Sequence, residues 1–185
     1  MRITYNAPVT LTFAILSSVI LLADQLSGIG LTERYFAVGG EMNPANLLDY
    51  VRLVTHVVGH ANWGHLVSNF AFILLLGPIL EEKYGSTTLL LMMLVTALVT
   101  GLLNVLLFST GLLGASGIVF MMILLGSFTN FRKGEIPLTF ILVVLLYLAR
   151  ELVTAFQADT ISQFAHIAGG FCGSMFGFLK PRESA

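Results

Sequence analysis

Long apolar runs dominate this chain, and few sequence features restrict a fold more tightly. A helix needs about 20 apolar residues to cross the ~30 Å hydrocarbon core of a bilayer. Six stretches meet or approach that length, near residues 9–28, 62–82, 86–108, 114–131, 136–156 and 161–179. Of the 185 residues, 56% are hydrophobic and 10% charged, where a soluble domain carries about 25% charged residues. So few charges cannot cover the apolar surface of a water-soluble fold, and the solvent is therefore lipid. Runs of this length cross the bilayer as helices. The expected fold is all-α, a polytopic bundle of six transmembrane helices. With no internal repeat, linker or low-complexity tract, residues 1–185 read as a single domain.

Charge sets orientation and removes several functions. Arg2, Lys83, Arg132, Lys133, Lys180 and Arg182 fall on the side that holds both termini, and Arg34, Arg52 and Arg150 on the other. This imbalance puts both termini in the cytoplasm and the loop 29–61 outside. Within that loop, Leu47 to Val54 is amphipathic, suited to lying on the membrane surface. One basic residue, Arg2, precedes the first span, and no A-x-A cleavage site follows it, so it reads as a retained helix and not a signal peptide. A net charge of −1 provides no basic field for nucleic acid. Cys172 is the only cysteine, which excludes an intrachain disulfide and a cysteine-built zinc site.

Polar residues within spans are costly and each needs a reason. His56, His60, His65 and Asn69 cluster before and within the start of the second span. Gly114-Ala115-Ser116-Gly117 opens the fourth, and His166 lies early in the sixth. These three spans all run from outside to inside, so the residues share one depth, a few ångströms to roughly 10 Å below the outer surface. Ser116 sits beside glycines at a helix start, where backbone N–H groups lack intrahelical acceptors. That position offers a nucleophile and an oxyanion donor together. His166 can serve as general base if the fourth and sixth helices touch. Gly169 or Gly170, Gly173 and Gly177 give the sixth helix a small-residue face for that contact. Phe120, one turn after Ser116, can stack on the imidazole. His65 and Asn69 are four apart, share a helix face and both carry N–H donors, as an oxyanion hole requires. Asp159 lies too far from His166 to complete a triad, so a dyad is expected.

Structural readings compete with these. A packing serine, a hydrogen-bonding membrane histidine, and a His65–Asn69 pair that ties the first loop to the bundle are the alternatives. His56, His60 and His65 are not all on one helix face, which argues against metal, and His56 and His60 are expected to be structural. Glu81, Glu82 and Lys83 read as a solvated cytoplasmic turn, and Asn104 as a mid-span interhelical hydrogen-bonder.

Taken together, His65-Leu66-Val67-Ser68-Asn69, Gly114-Ala115-Ser116-Gly117 and Ala165-His166-Ile167-Ala168-Gly169 resemble the H-x-x-x-N, G-x-S-G and A-H-x-x-G motifs of rhomboid intramembrane serine proteases, in their compact six-helix bacterial form. The resemblance extends over nearly the whole chain. It implies Ser116 as nucleophile, His166 as base, and His65, Asn69 and the Ser116 backbone amide as the oxyanion hole. Gly114, Gly117, Gly169, Phe120 and His60 would support them, and Glu81 matches a family glutamate after the second helix. Arg52 aligns with the arginine of a Trp-Arg pair whose tryptophan is replaced by Val51, and Phe120 stands where the family has a tyrosine. The resemblance also implies that the fifth helix and the loop 157–163 act as gate and cap, and that the protein resides in a bacterial inner membrane, its site opening to the extracytoplasmic side. The expected function is serine endopeptidase cleavage of transmembrane protein substrates in the lipid bilayer, without cofactor or metal. Its rivals are an inactive rhomboid-like binder of membrane helices and a small transporter. Ser116 and His166 argue against the first, and the lack of repeated hydropathy against the second.

Overall fold

A computed structural model describes the backbone of residues 3–128, 138–139, 141–146 and 160–179, and the side chains of all of these but 160–163. Its elements are α1 (Pro8–Ser27), α2 (Leu31–Tyr35), α3 (Leu47–Thr55), α4 (Trp63–Tyr84), α5 (Ser86–Leu107), α6 (Ser116–Gly126) and α7 (Thr160–Leu179). Residues 138–139 and 141–146 are also helical. Among the described residues no strand forms, apart from one isolated bridge between Val38 and Leu112.

The fold is all-helical, but the count of six spans is not reproduced among the described residues. Three helices, α1, α4 and α5, are long and apolar enough to cross a membrane. The stretch expected to span 114–131 has an α-helix of only 11 residues, α6, about 16 Å long. Its surroundings explain this. Ile118, Val119, Phe120, Met121, Met122, Leu124 and Leu125 are all buried, so α6 is enclosed by protein and need not match the thickness of the lipid. The Lys83 ammonium donates to the Phe128 carbonyl just beyond its end, at 3.1 Å. The fifth expected span and the loop 157–163 lie mostly outside the described residues, as does Asp159.

The most extensive helix contact joins α6 and α7. A Cβ placed on Gly169 would lie 2.1 Å from the Gly117 carbonyl oxygen, and one on Gly173 would lie 2.2 Å from that of Met121. Both pairs have the same offset along the chain, so the helices run parallel and in register over these turns. A turn further on, Gly177 leaves room for the Phe128 ring. Backbone meets backbone because α7 presents no side chain at these positions.

The turn of Glu81, Glu82 and Lys83 is not simply solvated, a correction to the sequence reading. Glu81 is buried, and its carboxylate accepts from Val9 N (2.9 Å), Thr10 N (3.0 Å), Thr10 Oγ1 (2.9 Å) and Ser86 Oγ (2.8 Å). It thereby satisfies first-turn N–H groups of α1 that have no intrahelical acceptor. Asn104 also departs from expectation: it lies one turn from the end of α5 and donates to the Thr110 carbonyl at 3.0 Å, closing the following loop. The amphipathic segment forms α3, N-capped by Asn46, whose side chain accepts from Leu48 N. Leu53 is buried while Leu47, Tyr50 and Val51 are exposed, as suits a helix lying at an interface.

Candidate active site

Ser116 is the first residue of α6, after a turn in which Gly114 has φ 114°. Only glycine adopts that backbone readily, and the position is also sterically closed. A Cβ on Gly114 would lie 2.6 Å from His65 Nε2 and 2.5 Å from its Cε1. The His65 ring therefore lies directly against the turn that carries Ser116. His65 is set in place at the start of α4, where the Asn62 side chain accepts from its backbone N–H at 2.8 Å. Ser116 is half-buried, as is His65.

His166 is buried on α7, its ring 4.3 Å from that of Phe120, centroid to centroid, at an interplanar angle of 38°. The close approach at Gly117 and Gly169 brings the first turn of α6 against His166's own segment of α7. The Ala165 carbonyl oxygen, for example, lies 3.4 Å from the place a Gly117 Cβ would occupy. Ser116 and His166 thus come from two helices in direct backbone contact, and Phe120, one turn after Ser116, packs its ring against the His166 imidazole.

Asn69, one turn after His65, is buried, and its Nδ2 lies 3.2 Å from His60 Nε2. His60 Nδ1 is 3.1 Å from the Val58 carbonyl, which can only accept, so Nδ1 carries the ring proton and Nε2 accepts from Asn69. One N–H of the Asn69 amide is held this way, and among the described residues the other has no partner. His60 packs edge-on to His65 at 5.1 Å between centroids, so His60, His65 and Asn69 form one packed group. Burial pushes the His60 imidazole down to about 4, aided by the neighbouring His65, so the ring is neutral at pH 7. His56 behaves likewise: fully buried, it is pushed down to about 4 chiefly by desolvation. Among the described residues, no three His, Cys, Asp or Glu side chains converge as metal ligands would.

The sequence reading missed Thr100. Its hydroxyl is 3.3 Å from His56 Nε2, and its Cγ2 would lie 3.1 Å from a Gly117 Cβ. A threonine inside a span ordinarily bonds its own preceding carbonyls, and those of Thr96 (2.9 Å) and Ala97 (3.0 Å) lie within reach of the Thr100 hydroxyl as alternative acceptors. Nothing in its spacing distinguishes it.

Comparison with known proteins settles the family. The family model of the rhomboid domain matches residues 48–183. The chain belongs to the rhomboid family. It is 23% identical over 134 residues to the rhomboid protease GlpG of Haemophilus influenzae, covering 71% of this chain and 70% of that protein. It is 26% identical over 174 residues to the chloroplastic rhomboid-like protein 11 of Arabidopsis thaliana, covering 84% of this chain and 62% of the relative. With three helices long and apolar enough to span a bilayer, this rhomboid protein is an integral membrane protein.

Proposed function

We propose that this rhomboid protein is an intramembrane serine endopeptidase that cleaves transmembrane protein substrates with a Ser116–His166 dyad. The observation that carries this reading is the backbone contact of α6 and α7 at Gly117 and Gly169, beside a serine at one helix start and a buried histidine on the other. In the reaction, His166 accepts the Ser116 hydroxyl proton as the oxygen attacks the scissile carbonyl. The oxyanion receives hydrogen bonds from His65, the available Asn69 N–H and the Ser116 amide. The protonated His166 then passes its proton to the leaving amine, and water hydrolyses the acyl-enzyme by the same steps in reverse roles. The substrate helix must unwind locally, because a helical peptide bond is hidden by its own hydrogen bonds.

The reading extends to the whole chain as one domain, since α1, which precedes the matched region, packs on α4 and α5. It places both termini in the cytoplasm of a bacterial inner membrane, with the site opening to the extracytoplasmic side, and requires no metal or cofactor. The test is incubation of detergent-purified protein with a single-span substrate, beside Ser116→Ala and His166→Ala forms. Cleavage by the parent and none by either variant is expected. Cleavage retained by purified Ser116→Ala would end the reading.

A further inference from the structure

We propose that His56 and Thr100 form a positioning pair that holds the turn from Gly114 to Gly117, and with it Ser116, in its reactive place. The proposal rests on the reading of Ser116 as nucleophile. His56 reaches the turn twice. Its backbone carbonyl accepts from Gly114 N at 2.9 Å. Its ring, 1% exposed, sets Nδ1 at 3.3 Å from the Arg52 carbonyl and Nε2 at 3.3 Å from Thr100 Oγ1. Thr100, itself 2% exposed, brings its methyl against Gly117. One residue at the end of α3 therefore grips the turn's first residue directly and, through α5, its last.

The polar character of the contact matters. A buried phenylalanine would fill the same space, whereas an imidazole facing a hydroxyl links α3 to α5 in one geometry and costs stability if either partner is lost. Nδ1 faces the Arg52 carbonyl, which can only accept, so Nδ1 carries the ring proton. Nε2 then accepts from the Thr100 hydroxyl in place of the Thr96 or Ala97 carbonyl, and the link needs that hydroxyl. Without it, the His56 carbonyl and the Gly114 amide bonded to it are free to shift together, and a nucleophile displaced by about 1 Å loses on the order of a hundredfold in rate. A histidine that only packs would affect stability and leave the chemistry alone.

The experiment compares the full chain in detergent with His56→Phe, Thr100→Val, Thr100→Ser and the His56→Phe/Thr100→Val double variant. The readouts are kcat and KM on a single-span substrate, the rate at which a fluorophosphonate labels Ser116, melting temperature, and amide hydrogen exchange in the peptide containing Gly114. His56→Phe and Thr100→Val are expected to lower kcat and labelling roughly 10- to 100-fold with KM changed by less than about twofold. Exchange at Gly114 should rise. The double variant should be no slower than the worse single one, because both break one link. Thr100→Ser keeps the hydroxyl but loses the methyl against Gly117, so it should fall between the parent and Thr100→Val. Unchanged kcat and labelling with a lowered melting temperature would overturn the proposal, as would a Thr100→Ser form as slow as Thr100→Val. If His56→Phe does not fold, the near-isosteric Thr100→Val and its serine counterpart decide the question. A parent that never labels at Ser116 removes the nucleophile reading and this proposal with it, whereas a labelled parent with fully active variants removes this proposal alone.

Discussion

Replacing Gly169 with valine probes the crossing of α6 and α7, on which the proposed dyad depends. A Cβ at this position would stand 2.1 Å from the Gly117 carbonyl oxygen, and ordinary contact begins near 3.4 Å. The obstacle is backbone, which cannot rotate away as a side-chain tip would. The helices must part by about 1.3 Å or tilt by an equivalent amount, and a shift of that size costs on the order of a hundredfold in rate. Overpacking adds about 1–3 kcal/mol of destabilisation. The control is Phe171→Leu, on the same helix but exposed, which should leave both quantities nearly unchanged. Turnover of a single-span substrate in detergent, measured beside the melting temperature, separates the outcomes. Full turnover by Gly169→Val at unchanged stability would show that the helices do not meet at this point.

Other consequences follow from particular contacts. His65→Ala and Asn69→Ala should each slow cleavage by on the order of 10²–10³ at most, the usual cost of one lost oxyanion donor; turnover equal to the parent would assign both residues to loop anchoring. Glu81→Ala strands two α1 backbone donors and two hydroxyls, so the melting temperature should fall by the equivalent of about 2–4 kcal/mol, while kcat of the folded protein changes little. An unchanged melting temperature would mean that water replaces the carboxylate. His56 and His60 titrate at about 4 when folded, against 6.5 as free imidazoles. Between these values the unfolded chain binds the extra protons, so stability is complete above pH 6.5 and declines as pH falls towards 4, by up to about 3 kcal/mol for each ring. The part of that decline between pH 6.5 and 5, above most carboxylate titration, is diagnostic, and a flat melting temperature there would show the rings to be hydrated.

The candidate site was far more legible in the sequence than the connections around it. Ser116, His166, His65 and Asn69 stand out because a polar group in an apolar run is conspicuous and because helical spacing assigns faces. The glycines of α7 were legible for the complementary reason, since their spacing of four marks a helix face without side chains. Glu81 was misread because acidic and basic neighbours at the end of a span normally face water, and its partners, the first N–H groups of α1, are about 70 residues away. Thr100 was invisible because threonine is common in membrane helices and usually bonds its own backbone. The length of α6 was overestimated because no charge interrupts the chain between Gly114 and Arg132, and composition does not tell a lipid-facing helix from one enclosed by protein.

The most direct test of the proposed chemistry is mass-spectrometric mapping of a serine-directed fluorophosphonate on the detergent-solubilised protein. The adduct should form on the peptide containing Ser116, be absent from Ser116→Ala, and form far more slowly in His166→Ala, because the hydroxyl then lacks its base. An adduct on another serine, or labelling of Ser116 that does not depend on His166, would contradict the dyad.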